Sequence, residues 1–121
     1  MSSKDTFVAE VPKEIIEEDD FIDWQESIDG SVEIKIAAAI EMIEGSGIVT
    51  NVKALGDGLY EKKWNSGLRL YFAIVIYDGM KTLLILGSKK GREQSKAINK
   101  SKNKLKNYDV FKQSIKINNG D

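Results

Sequence analysis

The chain has 121 residues, 41% of them hydrophobic and 31% charged, a balance that suits one soluble domain with a modest core. It contains neither cysteine nor histidine, which excludes disulfides, thiol nucleophiles, thiolate metal sites and the usual acid/base residue at neutral pH. The net charge of −1 hides an asymmetry: residues 1–33 carry eleven acidic and two basic side chains, and the rest carry eight acidic and sixteen basic. An acidic head on a basic body fits either a polyanion-binding face with an acidic neighbour that could cover it, or a solvated acidic helix beside a solvated basic one.

Taken in chain order, MSSKDTF lacks the apolar core of a signal peptide, and no apolar run has the roughly 20 residues that span a bilayer. These features imply a cytoplasmic chain. TFVAEV reads as a short strand ending at Pro12, the single proline. EIIEEDDFIDWQESI reads as a helix, with Phe21, Trp24 and Ile28 on one face and acids in its first turns. SVEIKIAAAIEMIEG is the clearest helix; Val32, Ile36, Ile40 and Ile43 form its stripe, and Gly45 and Gly47 its stop. The two helices are expected to pair as an αα-hairpin.

From residue 58 the apolar period changes to two. Turns at Asn65-Ser66-Gly67 and Asp78-Gly79 give a three-stranded antiparallel meander, which the N-terminal strand could extend to four. A three-residue loop at 65–67 puts Trp64 opposite Leu68, Lys62 opposite Leu70 and Tyr60 opposite Phe72 on the core face, with Lys62 as the misfit. Glu61, Lys63, Arg69 and Tyr71 then share the other face. A two-residue loop at 78–79 places Tyr71 opposite Leu86 and Arg69 opposite Ser88, so that Lys89 and Lys90 emerge just beyond Arg69. The next stretch, GREQSKAINKSKNKLKNY, reads as a basic helix with a thin stripe of Gln94, Ile98, Ser101, Leu105 and Tyr108. The expected fold is therefore one α+β domain over 1–121. An N-terminal αα-hairpin packs on a three- to four-stranded antiparallel sheet with a C-terminal basic helix, flanked by an acidic lead-in (1–20) and a tail (109–121) whose last dozen residues read as a short strand or a frayed end.

Arginine and lysine bring charge and donors for phosphate oxygens, and tyrosine a stacking ring, so the shared face suits either a phosphate group or an exposed sheet end whose charges blunt a β-edge. Several ordered stretches carry a wider likeness. FIDWQESIDG, VKALGDGLYEKKW, GLRLYF and LLILGSKKGREQSKAINKSK together resemble the RelE/ParE toxin superfamily, in particular its HigB-like branch of addiction-module killer proteins. The resemblance runs from Phe21 to Tyr108. It implies a RelE-like fold and a type II toxin that cuts mRNA on the ribosome, an mRNA interferase. Such a toxin would be neutralised by a cognate antitoxin, expected to be a helix-turn-helix protein.

By matching position, Glu61, Lys63, Arg69, Tyr71, Lys90 and Gln94 correspond to the family's polar face. The catalytic set implied is Arg69 on the phosphate, Lys63 or Glu61 as base, and Tyr71, Lys90 or Tyr108 to hold the base or donate a proton. The RNA-contacting set is Lys62, Lys89, Arg92, Gln94, Lys96, Lys100 and Tyr108. No metal or cofactor is called for. Asn65 stands where many relatives carry histidine, so a histidine-based mechanism is excluded. Two alternatives share the resemblance: a ParE-like inhibitor of DNA gyrase that needs no catalytic residue, and a decayed phage-type protein of the same fold.

Overall fold

The computed structural model describes residues 5–90, 94–111 and 116–119. In chain order these form β1 (Asp5–Val8), β2 (Glu14–Glu17), α1 (Asp19–Glu26), α2 (Gly30–Ser46), β3 (Ile48–Thr50), β4 (Val52–Gly56), β5 (Leu59–Lys63), β6 (Leu68–Tyr77), β7 (Met80–Lys90), α3 (Ser95–Leu105), β8 (Asp109–Val110) and β9 (Lys116–Asn119). A six-stranded sheet runs in the order β2-β7-β6-β5-β4, with β8 paired to β6 beside this path. A second, three-stranded sheet has the order β3-β1-β9.

The expected αα-hairpin on a three- to four-stranded sheet does not form. EIIE, read as the first helical turn, is β2, paired in parallel with β7 from Glu14–Thr82 to Glu17–Ile85. Ile15 and Ile16 pack into different cores on the two sides of the sheet, as alternation along a strand requires. What remains of the first helix is two turns, and α1 packs on β7. The segment taken for an acidic lead-in thus supplies two strands. Of the two readings of the C-terminal stretch, the strand is the one found: β8 pairs with Val75 and Ile76 of β6, and β9 pairs with β1.

The long sheet is buried on both faces. On one side Leu68, Leu70, Phe72, Ile74, Leu83 and Ile85 meet Ile36, Ala39, Ile40 and Ile43 of α2, Phe21 of α1, and Phe7 of the smaller sheet. On the other, Tyr71, Ala73, Val75, Leu84 and Leu86 lie under α3, whose Leu105, Ile98 and Ala97 cover them. A strand covered on both faces has no solvent side to mark with polar residues, which is why β6 reads LRLYFAIVIY. No helix among the described residues is long and apolar enough to cross a membrane.

The apolar stripe assigned to α2 is its buried face, with Val32 half-buried at its start. Asp29 caps the helix by accepting from the backbone N–H groups of Ser31 and Val32, both at 3.1 Å. Gly47 ends it in the left-handed conformation (φ 72°), donating to the Ile43 carbonyl at 2.9 Å. A β-carbon on Gly47 would stand 2.1 Å from the Ala9 carbonyl oxygen, so the glycine also lets β1 approach. Gly45, two residues earlier, has nothing within 4 Å of its β-carbon position. The two substitutions should diverge in chemical denaturation: Gly45→Ala is expected to stabilise by roughly 0.5–1 kcal/mol, and Gly47→Ala to destabilise by at least about 1 kcal/mol.

Candidate functional site

The β5–β6 hairpin has the three-residue loop and the register read from the sequence. Gly67 takes the positive φ of 92°, and Tyr60–Phe72, Glu61–Tyr71, Lys62–Leu70 and Lys63–Arg69 are the pairs. Cross-strand partners share a face, so Glu61, Tyr71, Lys63 and Arg69 all look toward α3. Lys62 lies on the opposite face, 8% exposed, where its ammonium donates to the Thr50 carbonyl at 2.7 Å and sits 5.2 Å from the Trp64 ring centre. That position separates it from the RNA-contacting set in which it was placed.

The β6–β7 hairpin departs from expectation by one residue. Asp78 and Gly79 both have positive φ, as a tight two-residue turn requires, and pairing proceeds regularly to Phe72–Ile85. A bulge then accommodates Leu86, and beyond it Tyr71 pairs with Gly87 and Arg69 with Lys89. Without the bulge a serine would face Arg69; with it a lysine does. Ser88 instead donates its hydroxyl to the Arg69 carbonyl. The backbone of Lys90 pairs with Leu68, one position beyond Arg69.

Three of the expected catalytic residues converge beneath α3. Glu61 is 2% exposed, Tyr71 fully buried, and the Arg69 side chain 12% exposed. Arg69 Nε lies 3.9 Å from Glu61 Oε2, an ion pair too long for a hydrogen bond. Glu61 Oε2, Arg69 Nε and Nη1, and the Tyr71 hydroxyl are all buried without a hydrogen-bond partner. Each such atom costs about 1–3 kcal/mol relative to solvated or paired states. Among the described residues these four are the buried side-chain nitrogen and oxygen atoms without such a partner. Burial first, and then the adjacent Glu61 carboxylate, push the Tyr71 hydroxyl well above its ordinary range. It therefore stays protonated at neutral pH. Lys63 is exposed at the mouth, and Lys89, half-buried, shares a shallow groove with Lys96, Ser95 and Asn99 of α3.

The other expected RNA contacts are distributed along α3. Gln94 occupies its N-cap position, half-buried, with its carbonyl accepting from Ile98 N–H at 2.9 Å; Arg92 lies outside the described residues. Lys100 and Tyr108 are already engaged by the acidic head. Asp20 binds Lys100 at 3.0 Å and Lys104 at 2.5 Å, while Glu18 accepts from the Tyr108 hydroxyl. Burial, followed by this hydrogen bond, pushes Tyr108 up to about 12. The Glu18–Asp20 clamp was not assigned from sequence, although the opposite charges of the two segments were its signal. Among the described residues no three carboxylates gather where they could hold a metal ion.

Comparison of the chain with models of known protein families, with curated proteins and with solved structures gave no match.

The clamp has a defined pH dependence. Hydrogen bonds from Lys104 and then Lys100 hold the Asp20 carboxyl below its usual 3.8. Its contribution is complete above that value and is lost as pH falls through the lower folded-state value. Asp20→Asn should therefore lower the thermal midpoint at neutral pH, and the difference from wild type should shrink as the pH is taken below 3.8.

Proposed function

We propose that the chain is the toxin of a type II toxin–antitoxin pair and acts as an endoribonuclease on mRNA at the ribosome. The observation that carries this reading is the buried Glu61–Arg69–Tyr71 cluster, with four polar atoms lacking partners and cations at its edge. The resemblance of FIDWQESIDG, GLRLYF and LLILGSKKGREQSKAINKSK to RelE/ParE toxins supports it from the sequence side.

In this reading a ribose 2′-oxygen attacks its own 3′-phosphate. Glu61 takes the 2′-hydroxyl proton as the new P–O bond forms. Arg69 meets the negative charge gathering on the non-bridging oxygens, and Lys63 and Lys89 add to the field. The bond to the 5′-oxygen breaks, and Tyr71, protonated throughout the neutral range, supplies the proton that the leaving oxygen takes. The products are a 2′,3′-cyclic phosphate and a 5′-hydroxyl end. Asn65 is exposed in the hairpin loop and has no titratable group, so it takes no part in proton transfer.

The lysines of α3 provide the wider electrostatic surface. RNA phosphates would compete with Glu18 and Asp20 for Lys100 and Lys104, making binding steeply dependent on salt. The same basic surface suits an acidic segment of a cognate antitoxin.

Transcript mapping after induced expression tests the reading. Cleaved mRNA is expected with wild type, with Arg69→Ala reducing cleavage by roughly 10²–10³-fold and leaving the circular dichroism spectrum unchanged. Arg69→Lys keeps the charge but loses the two-pronged donor, and is expected to restore only a part. Intact transcripts accompanied by DNA damage would replace this reading with gyrase inhibition of the ParE kind.

A further inference from the structure

A second cavity, of about 250 Å³, lies between α1 and α3, above the bulge in β7. Trp24, Leu86 and Ala97 give it apolar walls, Tyr71 and Ser101 contribute polar side chains, and the Asp20–Lys100 pair completes its lining. Gly87 keeps it open. The backbone there has no positive φ, so any residue could occupy the position. A β-carbon would reach ordinary contact with Ser101 Oγ at 3.9 Å, and a longer side chain would enter the space.

The wall chemistry restricts the occupant. Trp24 stacks on Phe21 (6.2 Å between ring centres, 26° between planes) and also lines the cavity, a flat aromatic surface beside it. Tyr71 lines one wall of the cavity and belongs also to the buried Glu61–Arg69 cluster. Lys100 is 65% exposed, and its partner Asp20 has a second, closer cation in Lys104. Lys100 can therefore exchange that carboxylate for a phosphate without stranding Asp20. A purely aliphatic ligand would leave the polar groups unanswered, and a bare anion would not use Trp24.

We propose that this cavity binds one nucleobase of the RNA, stacked against Trp24, with a phosphate of the same nucleotide on Lys100. The inference rests on the chain acting on RNA and adds a base-binding subsite that shares Tyr71 with the phosphate-binding cluster.

The chain has two tryptophans, so Trp64→Phe leaves Trp24 as the single indole reporter. In that variant guanosine 5′-monophosphate is expected to quench the emission saturably, while inorganic phosphate at the same concentrations does not. Adding Gly87→Val should weaken the nucleotide at least about tenfold by filling the space, and Lys100→Ala should weaken it while leaving base-dependent quenching at saturation. Calorimetric titration of the wild-type chain with the same nucleotide repeats the test without substitution. Absence of saturable binding in both assays, from protein that still cleaves RNA, overturns the subsite and leaves the Arg69 site standing. Equal binding of phosphate alone overturns base recognition. Loss of RNA cleavage by wild type together with absent nucleotide binding overturns both.

Discussion

The approach of Glu61 to Arg69 across two adjacent strands, under a helix that keeps water out, is the constraint on which the site depends. Two charged side chains at 12% exposure or less would ordinarily close into a hydrogen-bonded pair, because desolvation is costly unless geometry compensates for it. Here they remain 3.9 Å apart, with Tyr71 beside them and donors and acceptors unused. Apolar residues at the same positions would suit the surrounding core of Leu59, Ala73, Leu84 and Leu86 better. A polar cluster in that setting makes sense as the receiving surface for a charged group.

The rest of the molecule serves to hold that arrangement. The β5–β6 register brings the three side chains to one face, and the bulge in β7 brings Lys89 beside Arg69 in place of a serine. α3 forms the roof, and Glu18 and Asp20 fasten it through Lys100, Lys104 and Tyr108. The acidic and basic halves of the sequence therefore meet within one chain. Any polyanion that reaches Lys100 or Lys104 of α3 must compete with carboxylates already in place.

The β5–β6 hairpin was legible because its determinants are local. Gly67 supplies the positive φ, and only one register puts Trp64, Leu70 and Phe72 on the same side. The α2 stripe and Gly47 stop were legible for the same reason. β2 was not, since two isoleucines among glutamates fit a helix start as well as a strand, and its parallel partner lies more than 60 residues away. The bulge had no local signal, because Gly87 adopts no special φ and the turn at Asp78-Gly79 is the one expected. Of the site, the face shared by Glu61, Arg69 and Tyr71 could be read from alternation. Their burial could not, because it depends on α3 folding back over them. Lys62 was read as a misfit on the core face, and its carbonyl partner, Thr50, comes from a strand whose position alternation does not fix.

If the cluster is kept for function at the expense of stability, removing one unpartnered atom should separate the two. Tyr71→Phe deletes the buried hydroxyl and preserves the ring. Paired measurements of chemical denaturation and RNA cleavage on this variant should show stability raised by about 1 kcal/mol and cleavage reduced by at least about tenfold. A variant that is less stable than wild type and cleaves RNA at the wild-type rate would contradict the account.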